Sequence, residues 1–277
     1  VRWSLNLNQT DQLSAYKATA FAMIDVNVNL SRWPTRRLPC DEPEILVAKL
    51  RKMGVKRAWT GSLDALLHKD VAAVNLRLQE TCNRHGDGIL VPFGCVNPSL
   101  PDWEDDIRRC AQVHKMPGIR LHPNYHGYAL DDPRCARLLD LAQAAGMLVQ
   151  LAIKMEDERT QHPLMRVDAV DTTPLVNLVS QRPDLTLVLL NALRTVRPAT
   201  AKRLCDAGNV YFDVAMLEGA GGIARLLKDV PLSRILFGSY LPVFNFESAL
   251  LKLRESELTN AQLDAITADN AARLLMP

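Results

Sequence analysis

From Phe21 to the end of the chain, short apolar runs alternate with amphipathic stretches, and the alternation occurs eight times. The runs cover residues 22–29, 55–60, 89–96, 118–121, 147–153, 185–191, 210–214 and 234–238. Each has the length of a strand, and the stretches between carry helix signals. Asp41 and Glu44 flank Pro43 at one helix start, Leu46, Leu50 and Met53 share a face, and Gly54 stops it. Helices are expected near 68–84 and 102–114. Asp132 and Pro133 cap and open another, which Gly146 closes, and Thr173-Pro174 opens the next. A further helix spans about 195–207, and Thr259 with Gln262 forms a capping box near the end. Eight strand–helix units predict an α/β chain folded as a (β/α)8 TIM barrel. The rival is a doubly wound open sheet, but no Gly-x-Gly-x-x-Gly follows the first run and the count of eight favours closure.

The polar, weakly periodic residues 1–20 read as a short N-terminal extension, leaving 21–277 for the barrel. A net charge of +2 argues against a nucleic-acid partner, and no apolar run is long enough to span a membrane. The six cysteines are scattered without a Cys-x-x-Cys pair, which points to free thiols and a reducing, cytoplasmic setting. Because the chain starts at Val1, export with a removed signal stays open.

Barrels of this kind carry their sites at the C-terminal strand ends, and that rule selects the residues to weigh. Asn27 and Asn29, two apart on the first strand, point the same way. Arg120 and His122 share a side at the end of the fourth strand; Arg120 is suited to a substrate carboxylate, the alternative being a salt bridge to Asp25 or Asp213. Asp25 and Asp213 are strand carboxylates that need partners and are candidates for proton transfer. His122, His126 and His162 lie in loops on the same face, as general acid–base candidates or as a relocated divalent-metal site. Arg36, Arg37 and Arg159 suggest an anion-receiving rim, with plain solvation as the alternative. Tyr125, Tyr128 and Tyr240 offer hydroxyls. The loop with Gly219, Gly221 and Gly222 reads as a flexible lid ahead of a phosphate cradle. The polar stretch 154–171 is long enough to be functional.

Several segments together resemble the amidohydrolase superfamily, in its amidohydrolase-2 branch of hydrolases and decarboxylases. They are Ile24-Asp25-Val26-Asn27-Val28-Asn29, Gly118-Ile119-Arg120-Leu121-His122-Pro123, the stretch 183–193, Phe237-Gly238-Ser239-Tyr240-Leu241-Pro242 and Asn270-Ala271-Ala272-Arg273-Leu274-Leu275. The resemblance implies a divalent metal held by a His-x-His pair on strand one, histidines ending strands five and six, and an Asp after strand eight. Here those positions fall on Asn27 and Asn29, Ala152 with Gln150 before it, Asn191, and Tyr240. None is a good zinc ligand, so no metal or other cofactor is expected at the family position, and metal-generated hydroxide is not expected either. One lactonase branch of the superfamily is thought to need no metal. By resemblance, the chain is then a hydrolase-like enzyme on a small carboxylated or lactone-like substrate. Arg120 would hold the carboxylate, His122 or His162 would move the proton, and Asn27, Asn29, Gln150 and Asn191 would form a polar floor. The alternative is an inactive descendant that binds an anionic small molecule or a partner, and a homo-oligomer is compatible with either.

Overall fold

A computed structural model describes residues 23–275; the expected extension 1–20 lies outside the described residues. Eight parallel strands are hydrogen-bonded in sequence order. They are β1 (Met23–Leu30), β2 (Val55–Ser62), β3 (Leu90–Cys95), β4 (Gly118–Leu121), β5 (Leu148–Ala152), β6 (Leu187–Leu190), β7 (Val210–Asp213) and β8 (Ile235–Leu236). β8 is the shortest, and the barrel closes mainly through the chain that follows it. Val26 N–H donates to Phe237 O, Tyr240 N–H to Asn27 O and Asn29 N–H to Leu241 O, all at 2.9 Å. The fold is therefore the expected (β/α)8 barrel.

The helices return each strand to the next. They are α1 (Pro43–Lys52), α2 (Val71–His85), α3 (Trp103–Arg108), α4 (Pro133–Ala144), α5 (Leu175–Ser180), α6 (Pro198–Ala207), α7 (Gly222–Leu226), α8 (Phe246–Arg254) and α9 (Asn260–Asp264). α1 starts one residue later than its acidic flank suggests. Asp41 turns its carboxylate to the Leu38 N–H at 2.9 Å and to Arg37, so Glu42 takes the cap position. α2, α4 and α9 have the side-chain caps their sequences call for, from Asp70, Asp132 and Thr259. The 122–128 loop contains one helical turn, Pro123–His126, where an irregular loop is expected from its Pro and Gly.

Apolar residues fall into two main layers. The outer one fills the space between strands and helices, with Leu46, Leu50, Ile119, Leu138, Leu189 and Phe212 among its members. The inner one sits in the barrel lumen: Ile24, Val26, Trp59, Phe93, Leu148, Val188, Leu190 and Leu236, with Ala271 of the terminal helix Asn270–Leu274 beneath. Trp59 and Phe93 stack there at 5.1 Å between ring centroids. This layer fills the lower lumen and leaves the upper end to polar side chains. Among the described residues no helix is long and apolar enough to cross a membrane.

Candidate functional site

The first strand does not alternate regularly. Its pairing with β2 slips between Asp25 and Val28. Ile24 and Val26 pack in the lumen, yet Asn27 and Asn29 also reach luminal partners. A bulge of this kind changes the parity of the strand and leaves backbone groups out of the ladder. Near it, Val26 O and Val28 O accept from the side chains of Gln150 and Arg120 in the lumen.

Arg120 enters from β4 and is fully buried. Its Nε donates to Gln150 Oε1 at 2.8 Å, and its Nη1 to Val28 O at 2.8 Å and Asn29 Oδ1 at 2.7 Å. Its Nη2 donates to Trp59 O at 3.0 Å and Val26 O at 3.5 Å. All five guanidinium N–H groups are thus committed to neutral oxygens. Gly61 makes room for the ion, since a Cβ there would lie 2.8 Å from Nη1. The expected salt bridge to Asp25 or Asp213 needs correction: no carboxylate bonds Arg120 among the described residues, and in this arrangement its donors are turned to protein oxygens. Burial pulls its pKa down to about 10, so it stays charged at neutral pH.

On the opposite wall, Asn27 Nδ2 donates to Asn191 Oδ1 at 2.9 Å and Asp213 Oδ2 at 2.6 Å. Asn191 N–H donates to Asp213 Oδ1 at 2.8 Å, and Asn191 Nδ2 donates to Lys154 O. Asp25 Oδ1 accepts from the backbone N–H of Asn27 and Ser239, both at 3.0 Å. Burial raises both carboxyl groups, Asp25 to about 7 and Asp213 to about 6. Asp25 Oδ2, Asn27 Oδ1 and Asn29 Nδ2 are buried without a partner among the described residues. Asn191 and Tyr240 both have positive φ, 56° and 60°. Such backbone concentrates at functional sites and costs more for tyrosine than for asparagine. Both fall on positions where the family resemblance implies a metal ligand.

Above this polar layer the mouth is closed by Trp33, Leu38, Leu63, Leu66, Ala152, Met155, Ala215, Met216 and Tyr240, with Tyr125 and Phe244 half-buried against them. The Tyr240 hydroxyl donates to Met155 O at 2.7 Å. Trp33 is 2% exposed although it lies in the polar loop after β1. The neighbouring Arg36 pairs with Glu156, whose side chain is 1% exposed, and places its guanidinium over the Trp33 ring at 5.5 Å.

The structure thus brings Asp25, Asn27, Asn29, Arg120, Gln150, Asn191 and Asp213 together at the axis, with Tyr240, Tyr125 and Arg36 above. It sets His162 apart from the other two histidines of this face. His122 and His126 are neighbours at 6.0 Å between ring centroids, and His126 Nε2 bonds Ala65 O. Burial holds both below the ordinary imidazole range, His122 far below. His162 is exposed in the 154–171 loop and accepts from the Leu164 N–H, so the three do not assemble a relocated metal site. Arg159 is exposed and paired with Asp157, away from the axial network. Trp33 and Glu156 were not singled out by sequence; an aromatic in an otherwise polar loop was the available signal for the first.

A divalent ion does not fit the axial donor set. Asn29 Oδ1 already faces a fixed cation, Asn27 turns a donor toward Asn191 and Asp213, and Ala152 and Tyr240 offer no suitable ligand. Among the described residues no group of three His, Cys, Asp or Glu side chains is placed to hold a metal.

Several solved structures share the architecture. A 2,6-dihydroxybenzoate decarboxylase from Rhizobium superposes with a TM-score of 0.70 at 13% identity, over 91% of this chain and 98% of its own. A 5-carboxyvanillate decarboxylase from Sphingomonas paucimobilis gives 0.71 at 11%, over 92% and 98%. A dihydroxybenzoic acid decarboxylase from Polaromonas, with bound manganese and 2-nitroresorcinol, gives 0.71 at 13%, over 91% and 96%. Identities this low speak to fold. No curated protein matches the sequence significantly. The Amidohydrolase family model, however, matches residues 35–276. With that match across most of its length and the barrel that carries it, this chain belongs to the amidohydrolase family.

Proposed function

We propose that this chain binds a small carboxylated molecule on the catalytic face of the barrel and performs no metal-dependent hydrolysis or decarboxylation at the axis. The observation that carries this reading is the committed axis. All five Arg120 donors and the side-chain amide donors of Asn27 and Asn191 are committed to neighbouring side chains or the backbone. The apolar cover above them supports it, because a substrate would have to displace Trp33 and Tyr240 to arrive. The carboxylated ligand class is supported by the structural neighbours, whose substrates are carboxylated aromatics. The test is to incubate the protein with manganese, measure bound metal, and follow carbon dioxide release from 2,6-dihydroxybenzoate and 5-carboxyvanillate. The expected result is no retained metal and no release above background. Manganese-dependent release would overturn the reading.

A second reading is favoured by one observation. Asp25 and Asp213 have pKa values of about 7 and 6 beside unpartnered polar atoms, which suits proton transfer near neutral pH. Under it, the chain is a metal-free hydrolase of the lactonase type whose mouth opens when the 31–42 loop moves. Turnover of a carboxylated lactone in the presence of a chelator, lost in Asp25→Asn, would decide for it.

A further inference from the structure

Beside the closed axis, the loop after β7 and the helix α8 line an open cleft of about 730 Å³. That volume suits a small molecule. α8 and its C-cap present Ser248, Leu251, Lys252 and Glu255 to the cleft. These residues lie three, four and seven positions along from Ser248, hence on one helical face. Met216, Leu217, Phe244 and Leu251 supply the apolar lining.

The charges in the lining divide into two sets. Arg194 bonds Asp157 at 2.5 Å and Glu218 at 3.4 Å, and Arg159 also pairs with Asp157, so these charges are already engaged with one another. Lys252 and Glu255 are different. The Lys252 ammonium donates to Val214 O at 3.2 Å and to Ala215 O, which leaves one N–H, and no carboxylate pairs with it among the described residues. Glu255 has no ion pair or side-chain hydrogen bond among the described residues. It sits at the C-cap of α8, where the negative end of the helix opposes a carboxylate. The cleft therefore holds one ammonium with a free N–H, facing the Asp213 and Glu218 carboxylates at longer range, and one carboxylate without a hydrogen bond among the described residues, a helical turn apart beside an apolar wall.

We propose that this cleft binds a zwitterion with an apolar body, an α-amino acid with a large apolar side chain. The ligand carboxylate pairs with Lys252, its ammonium with Glu255, and its side chain packs on Met216, Leu217, Phe244 and Leu251. A doubly charged phosphate is disfavoured because the lining holds three carboxylates, Asp157, Glu218 and Glu255, against two cations, Arg194 and Lys252. This inference rests on reading the catalytic face as a binding surface, and it names where and what that surface binds.

The experiment is calorimetric titration of the full chain with L-phenylalanine, N-acetyl-L-phenylalanine and L-phenylalaninamide. L-phenylalanine is expected to bind saturably. The acetylated form, without an ammonium, and the amide, without a carboxylate, should each bind about ten-fold more weakly. Lys252→Met should abolish binding. Because Lys252 also bonds two backbone carbonyls, Glu255→Gln is the second variant; its exposed site leaves the fold intact, which thermal melting checks. It should bring L-phenylalanine and the acetylated form to within about two-fold of each other. Absence of saturable L-phenylalanine binding, equal binding of the three compounds, or unchanged selectivity in Glu255→Gln would each overturn the inference. Such failure leaves the axis reading standing. Manganese-dependent decarboxylation would remove the axis reading and leave a positive titration in place.

Discussion

The lower and upper halves of the barrel lumen are built by different rules. Below, Ile24, Val26, Trp59, Phe93, Leu148, Val188, Leu190 and Leu236 meet as an apolar layer. Such a layer asks for volume and shape and tolerates exchange of one hydrocarbon for another. Above, Asn27, Asn29, Arg120, Gln150, Asn191 and Asp213 meet as a polar layer whose members depend on named partners. Losing one member there strands the rest in a dry interior. The positions where the family resemblance implies metal ligands include Asn27, Asn29 and Asn191 of this upper layer, and in this chain all three are tied into hydrogen bonds.

The largest expected effect tests that difference directly. Arg120→Met should destabilise by about 3–5 kcal/mol, because it leaves Val28 O, Trp59 O, Gln150 Oε1 and Asn29 Oδ1 without their Arg120 donor, while Val26 O keeps Gln150 Nε2. Arg120→Lys should restore only part of this, since an ammonium cannot reproduce five fixed donors. In the lower layer, Leu190→Ala should cost about 2–4 kcal/mol, whereas Leu190→Met should cost under about 1.5 kcal/mol. Urea unfolding of the four variants measures this. A lysine as harmless at 120 as methionine is at 190 would erase the comparison.

Next comes pH. Asp25 titrates near 7 in the fold against an ordinary 3.8. Between those values the folded chain keeps a proton that the unfolded chain has lost, so this group's contribution to stability is full below about pH 4 and declines as pH rises toward 7. Asp213, raised to about 6, acts in the same direction. Asp25→Asn should flatten the decline in melting temperature between pH 5 and pH 8 by several degrees. An identical pH profile in the variant would mean that Asp25 is ionised in the fold throughout.

The smallest effect concerns the cover over the polar layer. Glu156→Gln removes the ion pair to Arg36, whose side chain is 38% exposed, so stability should fall by no more than about 1 kcal/mol. Acrylamide quenching of tryptophan fluorescence should nevertheless rise as Trp33 loses its neighbour. Unchanged quenching would show that apolar packing alone seats the cover.

The barrel was legible before any coordinates, because strand and helix periodicities are local consequences of backbone geometry and recur eight times along this chain. So were the chemical identities at the metal-ligand positions, since an amide is an amide wherever it points. The bulge in β1 was not legible, because it arises in the pairing with β2. Nor were the partners of Arg120, which lie 30, 61 and 91 residues away at Gln150, Trp59 and Asn29. Sequence alone offered Arg120 as a ligand for substrate or for a carboxylate; barrel closure surrounded it with neutral oxygens and left it no free donor. Trp33 reads as a solvated loop residue until the loop folds over the mouth against Tyr240 and Met155. Periodicity and residue type are written in a few consecutive letters, whereas a buried polar side chain takes its role from whichever distant groups the closed barrel places within hydrogen-bond reach.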